Sequence, residues 1–181
     1  MKNSIMIIIV VACSFLTGAF TSGIIQKVSP AKFLDDKEVA QVAVIVKDIE
    51  KAAVAYAELF DMDVPQIVET SSHPENPTKY QGELTNARAK LAFFELDNLQ
   101  FELIQPVGEP STWNDYLENS GEGLHHIAFW VKGMDEHVTL FKKNDLPEVQ
   151  SGGWEGGEYS YIDATEKLGL VIELLENYDV E

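Results

Sequence analysis

Residues 41–52 read QVAVIVKDIEKA and residues 126–137 read HIAFWVKGMDEH, with an identical Val-Lys pair at the same offset (Val46-Lys47 and Val131-Lys132). A repeat of this kind restricts the fold more than any single motif, because each copy must bury its apolar face against the other. A second match follows downstream, FELIQ and IELLE, with Glu102 in the first and Glu173 in the second. Alternate residues of a strand share a face, so Gln41, Ala43 and Ile45 lie together, as do His126, Ala128 and Trp130. A module that carries one nitrogen or oxygen ligand early and one carboxylate late brings Gln41, Glu102, His126 and Glu173 to a pseudo-two-fold interface. That donor set suits a divalent cation.

The pattern of elements is the same in both halves. Val39 to Val46 is a short apolar run suited to a buried strand. Asp48 opens a helix in which Ile49, Ala52, Ala53, Tyr56, Leu59 and Phe60 recur at three-to-four spacing, and which ends near Phe60-Asp61. A short strand is expected over Gln66 to Glu69. The segment SSHPENPTKYQGE, with Pro74, Pro77 and Gly82, reads as a mobile loop. Strands over Ala89 to Glu95 and Leu99 to Gln105 flank the turn Leu96-Asp97-Asn98. Ser111 caps a short helix, STWNDYL, between the halves. The second half then gives a strand (His125 to Val131), a helix (Met134 to Lys143) and a short strand (Glu148 to Gln150). A glycine-rich turn (Gly153 to Gly157) and two closing strands (Tyr159 to Asp163 and Leu168 to Leu175) complete it. With a period of about 85 residues and a full βαβββ unit in each copy, the chain is a duplication rather than a solenoid. The fold class is α+β, with module one at 39–106 and module two at 123–176.

The amino-terminal 25 residues stand apart. A lysine lies in Met1 to Ser4, Ile5 to Phe20 is almost without polar residues, and Thr17-Gly18-Ala19 offers small residues for cleavage, the pattern of an export signal. The apolar run is short of the roughly 20 residues that span a bilayer. An uncleaved anchor, using residues to Ile25 for membrane association, is the competing reading. A lipoprotein is a third, from Val10-Val11-Ala12-Cys13. Export to a periplasmic or secreted location is the expectation, with residues 26–38 as a linker. Cys13 is the sole cysteine and lies in this segment, so the rest of the chain forms no disulfide. A net charge of −17 excludes nucleic acid as a partner and disfavours highly anionic substrates unless a local cation receives them.

Bland readings stand beside the metal site. A lone strand glutamate usually faces solvent, and one histidine of a pair is usually structural. What favours ligation is that the four positions coincide under the repeat, and that a carboxylate in FELI or VIELL costs several kcal/mol to desolvate without a partner. His125 is expected to face away from His126. His73, in a loop, and His137, on a helix, are expected to be exposed.

These residues resemble the vicinal oxygen chelate superfamily, which includes glyoxalases, bleomycin-resistance proteins and dioxygenases, over about Val39 to Glu176. The resemblance implies paired βαβββ modules forming a cupped sheet around a divalent metal. Gln41, Glu102, His126 and Glu173 match its four ligands in order, as in zinc glyoxalase I of the eukaryotic type, which also has Gln first. By that analogy the metal is zinc, while manganese, cobalt, nickel and iron also suit the donors. NSGEGLHHIAFWV and FELIQPVGEPSTWNDYL are most similar to methylmalonyl-CoA epimerase. That likeness implies an isomerase, epimerase or lyase acting on a small oxygenated substrate by metal-assisted proton transfer, with Glu173 as catalytic base. The epimerase's second carboxylate would fall near Asn86, with Glu83 the nearest candidate. The residues that grip glutathione in glyoxalase I would fall near Ile45 and Glu122, which cannot bind a carboxylate. The alternative is a metal-free binding protein of the bleomycin-resistance type, whose aromatics (Phe93, Phe129, Trp130, Trp154, Tyr161) hold an apolar ligand. A dioxygenase ranks last, because Gln41 replaces the first histidine of its iron triad. Module exchange in a homodimer is compatible with the resemblance.

Overall fold

In the computed structural model, residues 32–178 are described, and the expected export segment lies outside them. Two copies of one strand-helix-strand pattern are joined at their first strands. Module one consists of β1 (Gln41–Ile45), α1 (Ile49–Phe60), β2 (Val68–Glu69), β3 (Lys79–Tyr80), β4 (Glu83–Leu84), β5 (Arg88–Glu95) and β6 (Gln100–Val107). Helix α2 (Thr112–Ser120) connects it to module two, which consists of β7 (Gly123–Trp130), α3 (Met134–Lys143), β8 (Glu148–Trp154), β9 (Gly157–Asp163), α4 (Thr165–Leu168) and β10 (Val171–Asn177). One ten-stranded sheet, in the order β2-β5-β6-β1-β7-β10-β9-β8-β3-β4, curls into a half-barrel.

The helix boundaries follow from local chemistry. Asp48 accepts from the Lys51 amide and so satisfies one of the free donors of α1, and Ser111 does the same for Asn114 in α2. The other ends of the strands repeat this service across each module. Gln105 Oε1 accepts from the Ile49 amide at 2.9 Å, and Glu176 accepts from the amides of Gly133 and Met134, both at 2.7 Å, at the start of α3. Gln105 and Glu176 lie three residues beyond Glu102 and Glu173, so the repeat preserves the helix anchor along with the inward carboxylate.

Alternation divides the strands between two faces. On the outer face Val44, Val46, Leu103 and Phe94 pack on α1, while Phe129, Val131, Ile172 and Leu174 pack with Met134 and Phe141 of α3. On the inner face Ala43, Ile45, Ala89 and Val171 meet Trp113 of α2, which closes part of the cup. The site therefore rests on strands that are covered on their outer side by helices.

Several expectations change. SSHPENPTKYQGE is not an unpaired loop: β3 and β4 form a hairpin, and β3 leaves its own module to pair with β8, Lys79 beside Ser151 and Tyr80 beside Gln150. Strand β8 extends to Trp154, and the glycine-rich turn shrinks to Glu155-Gly156. Gly153 pairs with Glu158 within the strand, and a Cβ there would sit 2.7 Å from Asn76 Cβ, so the glycine lets the crossing segment approach. Leu168 ends a short helix instead of opening the last strand. His137 is buried rather than exposed. Its ring meets the Phe33 carbonyl at 3.1 Å and Asp35 at 3.2 Å, and Phe33 packs on Phe141. Part of the stretch read as a linker thus packs against module two. Among the described residues no helix is long and apolar enough to cross a membrane.

Candidate metal centre

The register at the module junction assembles the four candidate ligands. β1 runs parallel to β6 and antiparallel to β7, and β7 runs parallel to β10. Ala43 is paired with Glu102 on one side and His126 on the other, while Ala128 is paired with Gln41 on one side and Glu173 on the other. Directly paired residues share a face, and Gln41 and Ala43 are two apart, so all four side chains rise from the concave side. Each alanine is fully buried between two of them and leaves the space above it to their longer side chains.

Glu102, His126 and Glu173 offer ligand atoms that all lie within 4.8 Å of one another. His126 Nε2 is 3.0 Å from Glu173 Oε2 and 3.5 Å from Glu102 Oε2. Neither His126 Nε2 nor Glu173 Oε2 has a hydrogen-bond partner, so the 3.0 Å approach lacks hydrogen-bond geometry. It is not an ion pair either. Burial drives His126 down to about 3 and Glu173 up to about 8, and the Tyr161 hydroxyl offsets part of the latter shift. Glu102 is raised well above the usual carboxyl value by burial and then by the neighbouring Glu173. Two carboxyls and an imidazole, all forced toward neutrality and two of their atoms unsatisfied, form an arrangement that a divalent cation would relieve. The residues present fit such an ion.

The surrounding side chains fix the orientation of this set. His125 was expected on the opposite face, but a bulge intervenes, since Ala43 opposes His126 while Val44 opposes Leu124. The extra residue brings His125 Nδ1 to 3.0 Å from His126 Nδ1, and both rings pack on Tyr161. For His126 Nε2 to present a lone pair, its Nδ1 must carry the proton, and His125 Nδ1 is placed to accept it. Trp113 donates to the Tyr161 hydroxyl at 3.1 Å, leaving that hydroxyl's own proton for another acceptor. The Thr112 amide, at the start of α2, donates to Gln150, which donates to the Tyr159 hydroxyl at 3.2 Å.

Gln41 is half-buried on the same face, and its amide nitrogen donates to Gln100 Oε1. Gln100 in turn donates to Glu95 at 2.5 Å. A carboxylate only accepts, so Glu95 sets the direction of both amides and leaves Gln41 Oε1, the metal-binding atom of an amide, outside the pair. Gln100, His125, Trp113 and Tyr159 were not singled out as site residues from the sequence. Gln100 could have been found there, because it lies two residues before Glu102 and must share its face.

The centre lies in a cavity of about 1050 Å³ to which both modules and the crossing segment contribute. Gln41, Glu102, Glu173, Trp113, Trp130 and Trp154 line it, as do Phe93 and Tyr161. Phe129 does not, and packs instead in the core beneath α3. His73 also lines the cavity, with a buried Nδ1 that has no partner. Glu83, the nearest sequence candidate for a second carboxylate, lies exposed on β4 at the sheet's end and is not in the lining.

A curled sheet with two βαβββ modules and inward ligands at their junction defines a vicinal oxygen chelate architecture. The family model of the Glyoxalase/Bleomycin resistance protein/Dioxygenase superfamily matches residues 40–162, and the chain belongs to that superfamily. It is 27% identical to the mitochondrial methylmalonyl-CoA epimerase of Homo sapiens over 137 residues, covering 74% of this chain and 70% of that protein. Among solved structures it is similar to the hypothetical protein BH1468 of Bacillus halodurans, with a TM-score of 0.56, 22% identity and coverage of 79% and 96% of the two chains. It also resembles methylmalonyl-CoA epimerase of Mycobacterium tuberculosis, with a TM-score of 0.53, 18% identity and coverage of 78% and 89%.

Proposed function

We propose that the protein is a divalent-metal-dependent isomerase of the epimerase type, acting by proton transfer at a carbon beside an oxygenated group. One observation carries the reading: His126 Nε2 and Glu173 Oε2 are buried without partners, within 4.8 Å of each other and of Glu102. His126, Glu102 and Glu173 would hold the ion, with Gln41 as the fourth ligand. When bound, a divalent ion polarises substrate oxygens and makes the adjacent C–H more acidic.

The chain's own residues account for the rest of the chemistry. Glu173 is the base: it lines the cavity beside Glu102, and its carboxylate, ionised as ligation requires, can accept the proton. Tyr161, held by Trp113, steadies it. Inversion at carbon needs a second proton carrier on the other side of the substrate, and His73 is the one imidazole in the cavity lining among the described residues. The aromatic walls exclude water from the reacting carbon. Epimerase relatives support this class of reaction, and zinc is taken as the metal by analogy with zinc glyoxalase I, the oxygen-rich donor set suiting manganese, cobalt, nickel or iron as well.

Solvent deuterium exchange at the α-carbon of a 2-methyl thioester, with and without added zinc, tests the proposal. Zinc-dependent exchange that Glu173→Gln abolishes is the expected result. Ligand binding with no exchange under any metal would instead favour a binding protein that uses the aromatic cavity alone.

A further inference from the structure

The charge of the cavity wall has a consequence for what can enter. Five glutamates line it: Glu102 and Glu173 at the base, and Glu69, Glu75 and Glu155 on exposed segments. Among the described residues no lysine or arginine does. Arg88 pairs with Glu69 at 2.8 Å and is not itself in the lining. Phe93, Trp113, Trp130, Trp154, Tyr159 and Tyr161 make up about a third of the rest of the wall and supply its large side-chain faces, beside smaller polar and aliphatic residues. About 1050 Å³ is at the upper end of small-molecule sites, roughly 300–1,000 Å³, so the body of a substrate has room beside its reacting group.

Building on the metal-centre reading, we propose that this cavity takes an uncharged substrate with an apolar or aromatic body, and discriminates against substrates carried on phosphate-bearing groups such as coenzyme A. A divalent ion at the base can receive the substrate's oxygens. It cannot offset the outer glutamates, which a phosphate would meet with no lysine or arginine of the lining to pair with. Aromatic faces, in contrast, reward an apolar body with buried area and stacking. The chain's net charge of −17 adds to the barrier. In substrate the protein thereby departs from methylmalonyl-CoA epimerases, while the reacting centre stays the same.

The chain's three tryptophans all line the cavity, so intrinsic fluorescence reports on it directly. The probes are S-benzoyl-N-acetylcysteamine and benzoyl-coenzyme A, which share an acyl group and thioester but differ in their phosphates. Both are titrated into zinc-loaded and into chelator-treated protein. The uncharged probe is expected to bind at least about ten-fold more tightly at low ionic strength, with the gap narrowing near 0.5 M salt as screening shortens the field. Glu75→Gln with Glu155→Gln should narrow it likewise. Equal or tighter binding of the coenzyme A probe would overturn the proposal, as would an uncharged probe that leaves the tryptophans unperturbed. The two readings fail separately. Zinc bound at the trio together with a preference for coenzyme A removes the substrate class alone, and preference for the uncharged probe in a protein that binds no zinc removes the metal centre alone.

Discussion

Glu173→Gln should make the metal-free protein more stable at alkaline pH while destroying its metal site. In the folded chain the Glu173 carboxyl is raised from the usual 4.5 to about 8. At ~1.4 kcal/mol per pH unit, the ionised form carries a penalty of ~5 kcal/mol if all of it belonged to this residue. Glu102 shares the same buried space, so about half, ~2–3 kcal/mol, is a fairer share. A group raised on folding stabilises the protein fully below its unfolded value, and that contribution is lost as pH climbs through the folded value. Wild type without metal should thus lose stability from about pH 4.5 to 8. His126, lowered to about 3, acts oppositely below its unfolded 6.5, but it is common to wild type and variant and drops out of their difference. Glutamine has no charge to bury. In thermal unfolding with a chelator present, the variant should match wild type near pH 4.5 and melt ~5–10 °C higher near pH 9, given ~2–4 °C per kcal/mol for a domain of this size. Zinc should reverse the order, raising the melting temperature of wild type only. A variant less stable at pH 9, or one shifted equally at both pH values, would refute the reasoning that burial governs Glu173.

The remaining expectations concern the supports of the site. Gln100→Leu frees the Gln41 amide to rotate and should lower zinc affinity about 10–100-fold, as losses of ligand-orienting groups do, with little change in melting temperature; calorimetric titration reads both the affinity and the stoichiometry. His125→Phe keeps the packing on Tyr116 and Tyr161 but removes the acceptor for His126, and a comparable loss of affinity is expected. His73→Asn should leave exchange driven by Glu173 in place yet halt inversion, a split that chiral analysis of the product detects.

How far the sequence reached depended on which physical signals it carries locally. The shared face of Gln41, Glu102, His126 and Glu173 was legible because repeat and strand alternation act together: Gln41 and His126 occupy equivalent positions, and Glu102 and Glu173 do too, which determines one face without any knowledge of the sheet's curvature. Helix starts at Asp48 and Ser111 were legible through their caps. The hairpin of β3 and β4 was not. Its strands are two residues each, largely exposed, and paired with the other module, so neither periodicity nor apolarity marks them. The bulge at His125 likewise has no local signature, and a single extra residue reversed the expected side of the ring. His137 looked like a surface residue because the segment that buries it, around Phe33 and Asp35, lies about a hundred positions earlier.

The junction of the two modules should hold one divalent ion. Calorimetric titration of zinc into the chelator-treated protein at pH 7.5 measures it directly, with the His126→Ala and Glu102→Gln variants alongside. One ion per chain, with release of protons from the raised carboxyls and loss of binding in both variants, is the expected result. Absence of binding, or binding that survives both substitutions, would contradict it.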